Sequence, residues 1–436
     1  MNNKDIYTDM IPEILQPDFR NRRENLLRNV LEKYSPKNPL IILLANAELE
    51  NQRFIQDPTF YYYTGLEKQG ACVILDKQGN QRLFLPQFPE RRKIWEADTE
   101  LSLDDAKKMG FSGLEHTGQE VQGFSVSYRF AMPIYQNVIE ILQDHAAMGG
   151  EIFTIISEKM VPSYTLLLWD RIFSYVPQIA DQVYDMSDVI CLMRRKKDMY
   201  EIQTMYKAVE ITAQAQQAAA HIIASGVNEA EVQAGIEFIF TQNFAWPAFP
   251  TIVGSGKQST ILHYRLNNNV INNSELVVVD IGACYQYYCA DITRTYPSNK
   301  KFTQQQKDLY AIVLETQLHV AQLARPGMYI QSAAHPELSL RHKAIEFLDK
   351  KGYGKFFPHA LGHFIGLDVH DVGGREQMLQ VGDVIAIEPG VYLPEKNMGV
   401  RIEDNYWIVE DEAICLSENI AKYPDEIETI MEQSLE

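Results

Sequence analysis

The segment Leu276-Val277-Val278-Val279-Asp280-Ile281 sets an acidic residue inside a β-branched run. A second such run, Tyr287-Tyr288-Cys289-Ala290-Asp291-Ile292-Thr293, follows after a short polar break. β-branched and aromatic residues suit a pleated, half-buried surface, so the two runs are expected to pair as a hairpin. With the turn centred on Tyr285 and Gln286, Asp280 falls directly opposite Asp291, and two carboxylates share one face of the sheet. Like charges so placed are destabilising, and an ionised carboxylate among apolar side chains is very costly to bury. Taken singly, Asp280 could simply end its strand and Asp291 could be solvated. Taken in register, the two require a cation.

Three further residues stand in equally marked settings. Three of the chain's ten histidines, His359, His363 and His370, fall in the single stretch His359-Ala360-Leu361-Gly362-His363-Phe364-Ile365-Gly366-Leu367-Asp368-Val369-His370. Ile385-Ala386-Ile387-Glu388-Pro389-Gly390 ends an apolar strand on a carboxylate before a Pro-Gly turn, and Val400-Arg401-Ile402-Glu403-Asp404 leads into Tyr406-Trp407-Ile408-Val409. Considered alone, Glu403 could be an ion-pair partner of Arg401. Considered together, Asp280, Asp291, His363, Glu388 and Glu403 form a set of four carboxylates and one imidazole that reads as a two-metal site. Such hard oxygen donors with one nitrogen favour Mn²⁺, Co²⁺ or Fe²⁺ over a structural zinc. Two ions bridged by carboxylates share a water, lower its pKa from about 15.7 towards neutrality, and leave a hydroxide aimed at a polarised carbonyl. Peptide hydrolysis is the natural use of that arrangement.

On these residues the chain resembles the aminopeptidase P and prolidase group of pita-bread metallopeptidases, related more distantly to methionine aminopeptidase and creatinase. The carriers are Val253-Gly254-Ser255-Gly256 with Ile261-Leu262-His263-Tyr264, Val279-Asp280-Ile281-Gly282, and Ala290-Asp291-Ile292-Thr293-Arg294-Thr295. They continue in the histidine stretch ending Asp368-Val369-His370-Asp371-Val372-Gly373, then Glu388-Pro389-Gly390 and Arg401-Ile402-Glu403-Asp404. The resemblance spans nearly the full length. It implies an α+β pita-bread catalytic domain over 186–436, preceded by an α/β creatinase-like N-terminal domain over 1–185 that commonly supports a dimer.

The resemblance also implies roles. Asp280 becomes a bidentate ligand of one metal, Asp291 and Glu403 bridge both, and His363 with Glu388 completes the second. His263 and His370 bond the substrate or its developing charge, and His359 lines the pocket beyond the scissile bond. Glu388 is the expected proton shuttle, Arg401 a polar anchor near the substrate, and Mn²⁺ the expected metal. The implied activity is release of an N-terminal residue that precedes proline, with an Xaa-Pro dipeptidase as the nearest alternative and a non-catalytic binding protein as the alternative of another class. That last branch should have lost ligands, and all five are intact. Methionine aminopeptidase lacks a large N-terminal domain of this kind. Two departures bear on substrate positioning, not on the ligands: Ala360 stands where relatives commonly have Gly, and Phe249-Pro250 where a Tyr is frequent.

Two other motifs fail on spacing. Gly254-Ser255-Gly256-Lys257 lacks the Gly that a P-loop needs at Thr251 and the Ser or Thr it needs at Gln258, and Ala360 stands where a zinc protease of the HExxH type needs Glu.

The rest of the chain sets bounds. Its 436 residues suggest two domains, and a net charge of −18 speaks against nucleic acid or an anionic membrane as partner. The opening Met1-Asn2-Asn3-Lys4-Asp5 leads into no apolar stretch and no long apolar run follows, so a cytoplasmic location is expected, with a homodimer or homotetramer implied by the resemblance. Five cysteines without CxxC spacing argue against a disulfide framework or zinc ribbon, although Cys284 and Cys289 should lie close on the hairpin. Strands are expected at Leu40–Leu44 and Ala71–Leu75 and a helix from Asp18 to Tyr34. The aromatic run Phe60–Tyr63 reads as core, and Glu90–Trp95 as a solvated charged face that could contact a second subunit. The charged run Met193–Lys197 is expected to open a long helix carrying Ile202, Met205, Val209 and Thr212, at the domain junction. Capping boxes at Asn228/Glu231 and Thr303/Gln306 announce two more helices, the second stopping at Arg325-Pro326-Gly327.

Overall fold

The computed structural model describes residues 15–48, 53–94, 100–121, 131–156 and 163–433, so the expectations resting on Met1–Asp5 and on Trp95 lie outside the described residues. The described residues divide into two compact units, one from Pro17 to Arg194 and the other from Arg195 onward, the second taking in Leu15 and Gln16. No helix among the described residues is long and apolar enough to cross a membrane.

In the first unit, six strands form one mixed sheet in the order β4-β3-β2-β1-β5-β6. They are β1 (Pro39–Leu44), β2 (Cys72–Asp76), β3 (Gln81–Leu85), β4 (Gly113–His116), β5 (Glu151–Thr154) and β6 (Val183–Asp185). β1 is apolar and buried along its whole length because it is central, antiparallel to β2 and parallel to β5. Leu40, Ile42 and Leu44 share one packed cluster with Val138, Leu142, Leu168 and Trp169 from the helices Gln136–Ala147 and Tyr164–Tyr175. Helix Phe19–Tyr34 begins where expected, with the Asp18 carboxylate accepting from the Asn21 amide at 2.9 Å. Phe60 to Tyr63 form a short buried helix, Pro58–Thr64, as core residues should.

The charged run Met193–Lys197 does not open the long helix. One helix, Ser187–Arg195, ends in it, and the next, Met199–Ile222, starts afresh at an Asp198/Glu201 capping box. The division at Arg194 falls later than residue 185 because this first helix packs with the N-terminal unit, where Arg194 donates to Thr59 Oγ1 at 3.0 Å and Tyr62 to the Met193 carbonyl at 3.1 Å.

The second unit repeats one theme. Helices Met199–Ile222 and Glu229–Gln242 precede a block of antiparallel strands, and helices Gln304–Leu323 and Leu340–Lys350 precede another. The first block holds β7 (Trp246–Pro247), β8 (Ile252–Ser255), β9 (Leu276–Ile281), β10 (Ala283–Tyr285), β11 (Tyr288–Cys289) and β12 (Ile292–Pro297). The second holds β13 (Val384–Ile387), β14 (Gly390–Leu393), β15 (Met398–Arg401), β16 (Asp404–Ile408) and β17 (Ala413–Cys415). Both expected capping boxes form, at Asn228/Glu231 and Thr303/Gln306. A buried glutamine on the first helix of each block reaches its sheet: Gln216 donates to the Ile292 carbonyl at 2.8 Å, and Gln317 to the Asp404 carboxylate at 2.9 Å.

The hairpin register differs from expectation by two residues. Thr293, not Asp291, lies opposite Asp280, because the turn centres on Gln286 and Tyr287, whose φ of 46° and 69° are those of a two-residue type I′ turn. A two-residue shift preserves the face, since side chains alternate with period two. The ladder also bends midway, where a Cβ on Gly282 would overlap the Ala290 carbonyl. Cys284 and Cys289 pair directly across the hairpin, and both are free thiols.

A buried ion pair ties the two blocks together. Arg294 on β12 donates to the Asp404 carboxylate on β16 at 2.8 Å and to the Glu403 and Ala421 carbonyls, each at 2.8 Å, and neither charged side chain is exposed. Asp404 accepts further from Ser417, Gln317 and Lys422, and these contacts hold its pKa down at about 2 against the cost of burial. Removing one partner of such a pair strands a buried charge. Arg294→Met is therefore expected to lower the stability of this unit by about 3–5 kcal/mol, seen as a lower urea midpoint. An unchanged midpoint would show the pair to be dispensable.

Candidate metal centre

The five residues singled out in the sequence come from both blocks. Asp280 sits near the end of β9, and Asp291 immediately precedes β12. Leu361 to Ile365 run beside β13 through bonds between Ala386 N–H and the His363 carbonyl (2.9 Å), Ile365 N–H and the Val384 carbonyl (3.0 Å), and Glu388 N–H and the Leu361 carbonyl (2.8 Å). Gly362 permits this approach, since a Cβ there would overlap the Ala386 carbonyl. Glu388 follows β13, and Glu403 lies between β15 and β16 with its amide bonded to the Thr293 carbonyl at 3.1 Å.

The tightest group is Asp291, His363 and Glu403, which each bring one ligand atom within 4.8 Å of the others, all three residues being buried. His363 Nε2 stands 3.3 Å from Asp291 Oδ2 and 3.9 Å from Glu403 Oε1. Its Nδ1 faces the Phe364 carbonyl at 3.1 Å, which requires the proton on Nδ1 and leaves the Nε2 lone pair directed at the carboxylates. Asp280 and Glu388 are not in that tight group, but the charges of both are felt by Asp291 and Glu403. Burial, and then repulsion among these carboxylates, pushes Asp291 and Glu403 well above the ordinary carboxylate range, and burial also raises Glu388.

Three oxygens carry the test of whether a cation fits. Asp280 Oδ1, Asp291 Oδ1 and Glu403 Oε1 are buried and accept no hydrogen bond among the described residues. Buried carboxylate oxygens without a donor are strongly unfavourable, and a divalent ion supplies what no protein group does. Four carboxylates and one bare imidazole nitrogen are also the donor chemistry of such an ion. The residues fit.

A second layer of side chains orients the first. Thr293 Oγ1 donates to Glu403 Oε2 at 2.8 Å. Arg401 is buried and reaches Asp280, not Glu403: its Nη2 donates to Asp280 Oδ2 at 2.6 Å, its Nη1 to the Tyr392 hydroxyl at 3.0 Å, and its Nε to Thr293 Oγ1 at 3.3 Å. Tyr392 in turn lies 3.0 Å from His359 Nε2, whose Nδ1 faces the Ala360 carbonyl at 2.8 Å, so Tyr392 is the donor in that bond. Burial, and then the nearby Arg401 charge, lowers the His359 pKa to about 3. The His370 ring packs edge-on against His363 with centroids 4.3 Å apart, and desolvation followed by the His363 charge lowers it to about 4. His263 is exposed and stands outside the buried cluster, yet its charge is felt by both His359 and His370. Thr293 and Tyr392 are the functional-looking residues the sequence did not single out. Thr293 was within reach as the first same-face neighbour after Asp291, whereas nothing in the sequence around Tyr392 distinguishes it from core.

Residues 203–410 match metallopeptidase family M24, and residues 19–117 match the aminopeptidase P N-terminal domain. The Xaa-Pro aminopeptidase of Escherichia coli is 29% identical over 96% of this chain and 98% of its own length. The Xaa-Pro dipeptidase of Pyrococcus furiosus is 39% identical, but over 52% of this chain and 64% of its own length. Among solved structures, zinc-substituted aminopeptidase P from Escherichia coli in complex with product superimposes with a TM-score of 0.78 at 27% identity, covering 96% of this chain and 98% of that one. Residues 203–410 thus form a metallopeptidase family M24 domain of the pita-bread fold, preceded in the same chain by the N-terminal domain of aminopeptidase P.

Proposed function

We propose that this protein is a metal-dependent Xaa-Pro aminopeptidase, and that Asp280, Asp291, His363, Glu388 and Glu403 hold two divalent ions. The observation that carries the metal reading is the set of buried carboxylate oxygens on Asp280, Asp291 and Glu403 that accept no hydrogen bond among the described residues. The preference for an aminopeptidase over a dipeptidase rests on coverage: the aminopeptidase relative matches along nearly its whole length, the dipeptidase relative along 64% of it.

When bound, two such ions lower the pKa of a shared water towards neutrality and polarise the scissile carbonyl. The protein groups do the rest. Asp291 and Glu403 would hold the ions together with Asp280, His363 and Glu388, and Thr293 fixes the Glu403 carboxylate through a 2.8 Å hydrogen bond. Arg401 holds Asp280 in a single orientation and, through Tyr392, fixes His359. Its role at the substrate is thus exerted through these partners, since its guanidinium is buried among them. Glu388 accepts a proton and returns it to the leaving proline nitrogen. His263 and His370 line the substrate side and bond the carbonyl oxygen as charge develops on it. Mn²⁺ as the metal and a homodimeric or homotetrameric assembly belong to the same proposal, and rest on the donor set and the resemblance.

Two experiments test it. With Mn²⁺ present, an Xaa-Pro-Yaa tripeptide is expected to be cleaved in preference to an Xaa-Pro dipeptide and to an Xaa-Ala-Yaa tripeptide. Cleavage of the dipeptide alone would make the enzyme a dipeptidase, and cleavage of neither with metal bound would favour a non-catalytic role. Asp291→Asn removes one crowding charge, so in chelator its melting temperature should rise by roughly 2–4 °C, the equivalent of about 1 kcal/mol in a unit of this length. The same variant should lose activity and the stabilisation that metal gives the unsubstituted protein. A lower melting temperature in chelator would contradict the account of repulsion.

A further inference from the structure

A second buried ion pair lies just behind the candidate metal centre. Lys197 Nζ is 3.0 Å from Asp371 Oδ2, and both side chains are 1% exposed. The pair is walled in by backbone, for a Cβ on Gly366 would overlap the Asp371 carboxylate and come within 2.8 Å of Lys197 Cε. Burying two such charges costs several kcal/mol each, and well-packed apolar residues often stabilise a fold equally well. What the pair holds therefore matters more than its stability.

It holds one closed loop. The Asp371 amide donates back to the Phe364 carbonyl at 2.9 Å, closing residues 364–371 on themselves. That same carbonyl accepts from His363 Nδ1 at 3.1 Å and so fixes the tautomer that leaves Nε2 bare. His370, the neighbour of Asp371, packs its ring on His363. Lys197 itself stands on a fixed base. Its amide donates to the Gly382 carbonyl at 3.0 Å, and two residues earlier Arg195 grips Asp383 through Nε and Nη2 at 2.7 and 2.6 Å.

From this arrangement we infer that Lys197 is a positioning residue: by pairing with Asp371 it sets both the lone-pair direction of His363 and the placement of His370. The inference rests on the reading of His363 as a metal ligand in a peptidase. It assigns a task to a residue that in the sequence was one member of a charged run at the domain junction.

The test compares Lys197→Met, Asp371→Asn and the double variant, each by urea midpoint, by Mn²⁺ titration into metal-free protein, and by kcat and KM on an Xaa-Pro-Yaa tripeptide. Lys197→Met should weaken one of the two Mn²⁺ sites about 10- to 100-fold and lower kcat by a similar factor, with KM less affected. In the double variant no buried charge is stranded, so the midpoint should recover while Mn²⁺ affinity and kcat stay low. Recovery of all three together would overturn the inference and leave the pair purely structural, as would wild-type Mn²⁺ affinity in Lys197→Met. If the unsubstituted protein binds Mn²⁺ but cleaves no peptide, the peptidase reading fails alone, and the Mn²⁺ titrations still decide the role of Lys197.

Discussion

Mutual repulsion among buried carboxylates is the constraint on which the catalytic unit is organised. Asp291 and Glu403 lie close to His363, feel the charges of Asp280 and Glu388, and are raised well above the ordinary carboxylate range by burial and then by neighbouring carboxylates. No protein cation answers all of them. Arg401 reaches Asp280 and Thr293 reaches Glu403, yet three oxygens still lack a donor among the described residues. Such a cluster is unfavourable until a multivalent ion enters, so the energy that binds metal is stored when the chain folds.

Holding the cluster together requires the two blocks of the unit to be locked, since Asp280 and Asp291 come from one and His363, Glu388 and Glu403 from the other. Arg294 supplies the lock by bonding both the Asp404 carboxylate and the Glu403 carbonyl, which places a ligand-bearing backbone directly on a buried guanidinium. Glu403 is thus fixed at its backbone by Arg294 and at its carboxylate by Thr293, two consecutive residues of β12. Lys197 and Arg195 do the equivalent for the segment that carries His363 and His370. Charges that would be poor investments in stability alone make sense as fixers of geometry.

Much of this was legible in the sequence. Acidic residues inside β-branched runs announce themselves, because the pattern and the charge contradict each other unless something neutralises the charge. Capping boxes at Asn228 and Thr303 were readable for a similar reason, being local chemistry with one geometric solution. The hairpin register was misjudged by two residues because the turn type depends on left-handed backbone at Gln286 and Tyr287, neither of which is a glycine or an asparagine. The partners of Lys197, Arg195 and Arg401 were out of reach for a different reason. Each meets a residue more than a hundred positions away, apart from Arg401 with Tyr392, and a basic run reads locally as a solvated surface. Long-range pairing of buried charges leaves no periodic trace.

The central claim is that five named side chains share two divalent ions, and crystals soaked in Mn²⁺ and measured at its absorption edge test it most directly. Two anomalous peaks per chain are expected, both within reach of the cluster formed by Asp280, Asp291, His363, Glu388 and Glu403. No peak within reach of Asp291, or a single ion leaving the Glu403 and Asp280 oxygens without a partner, would contradict it.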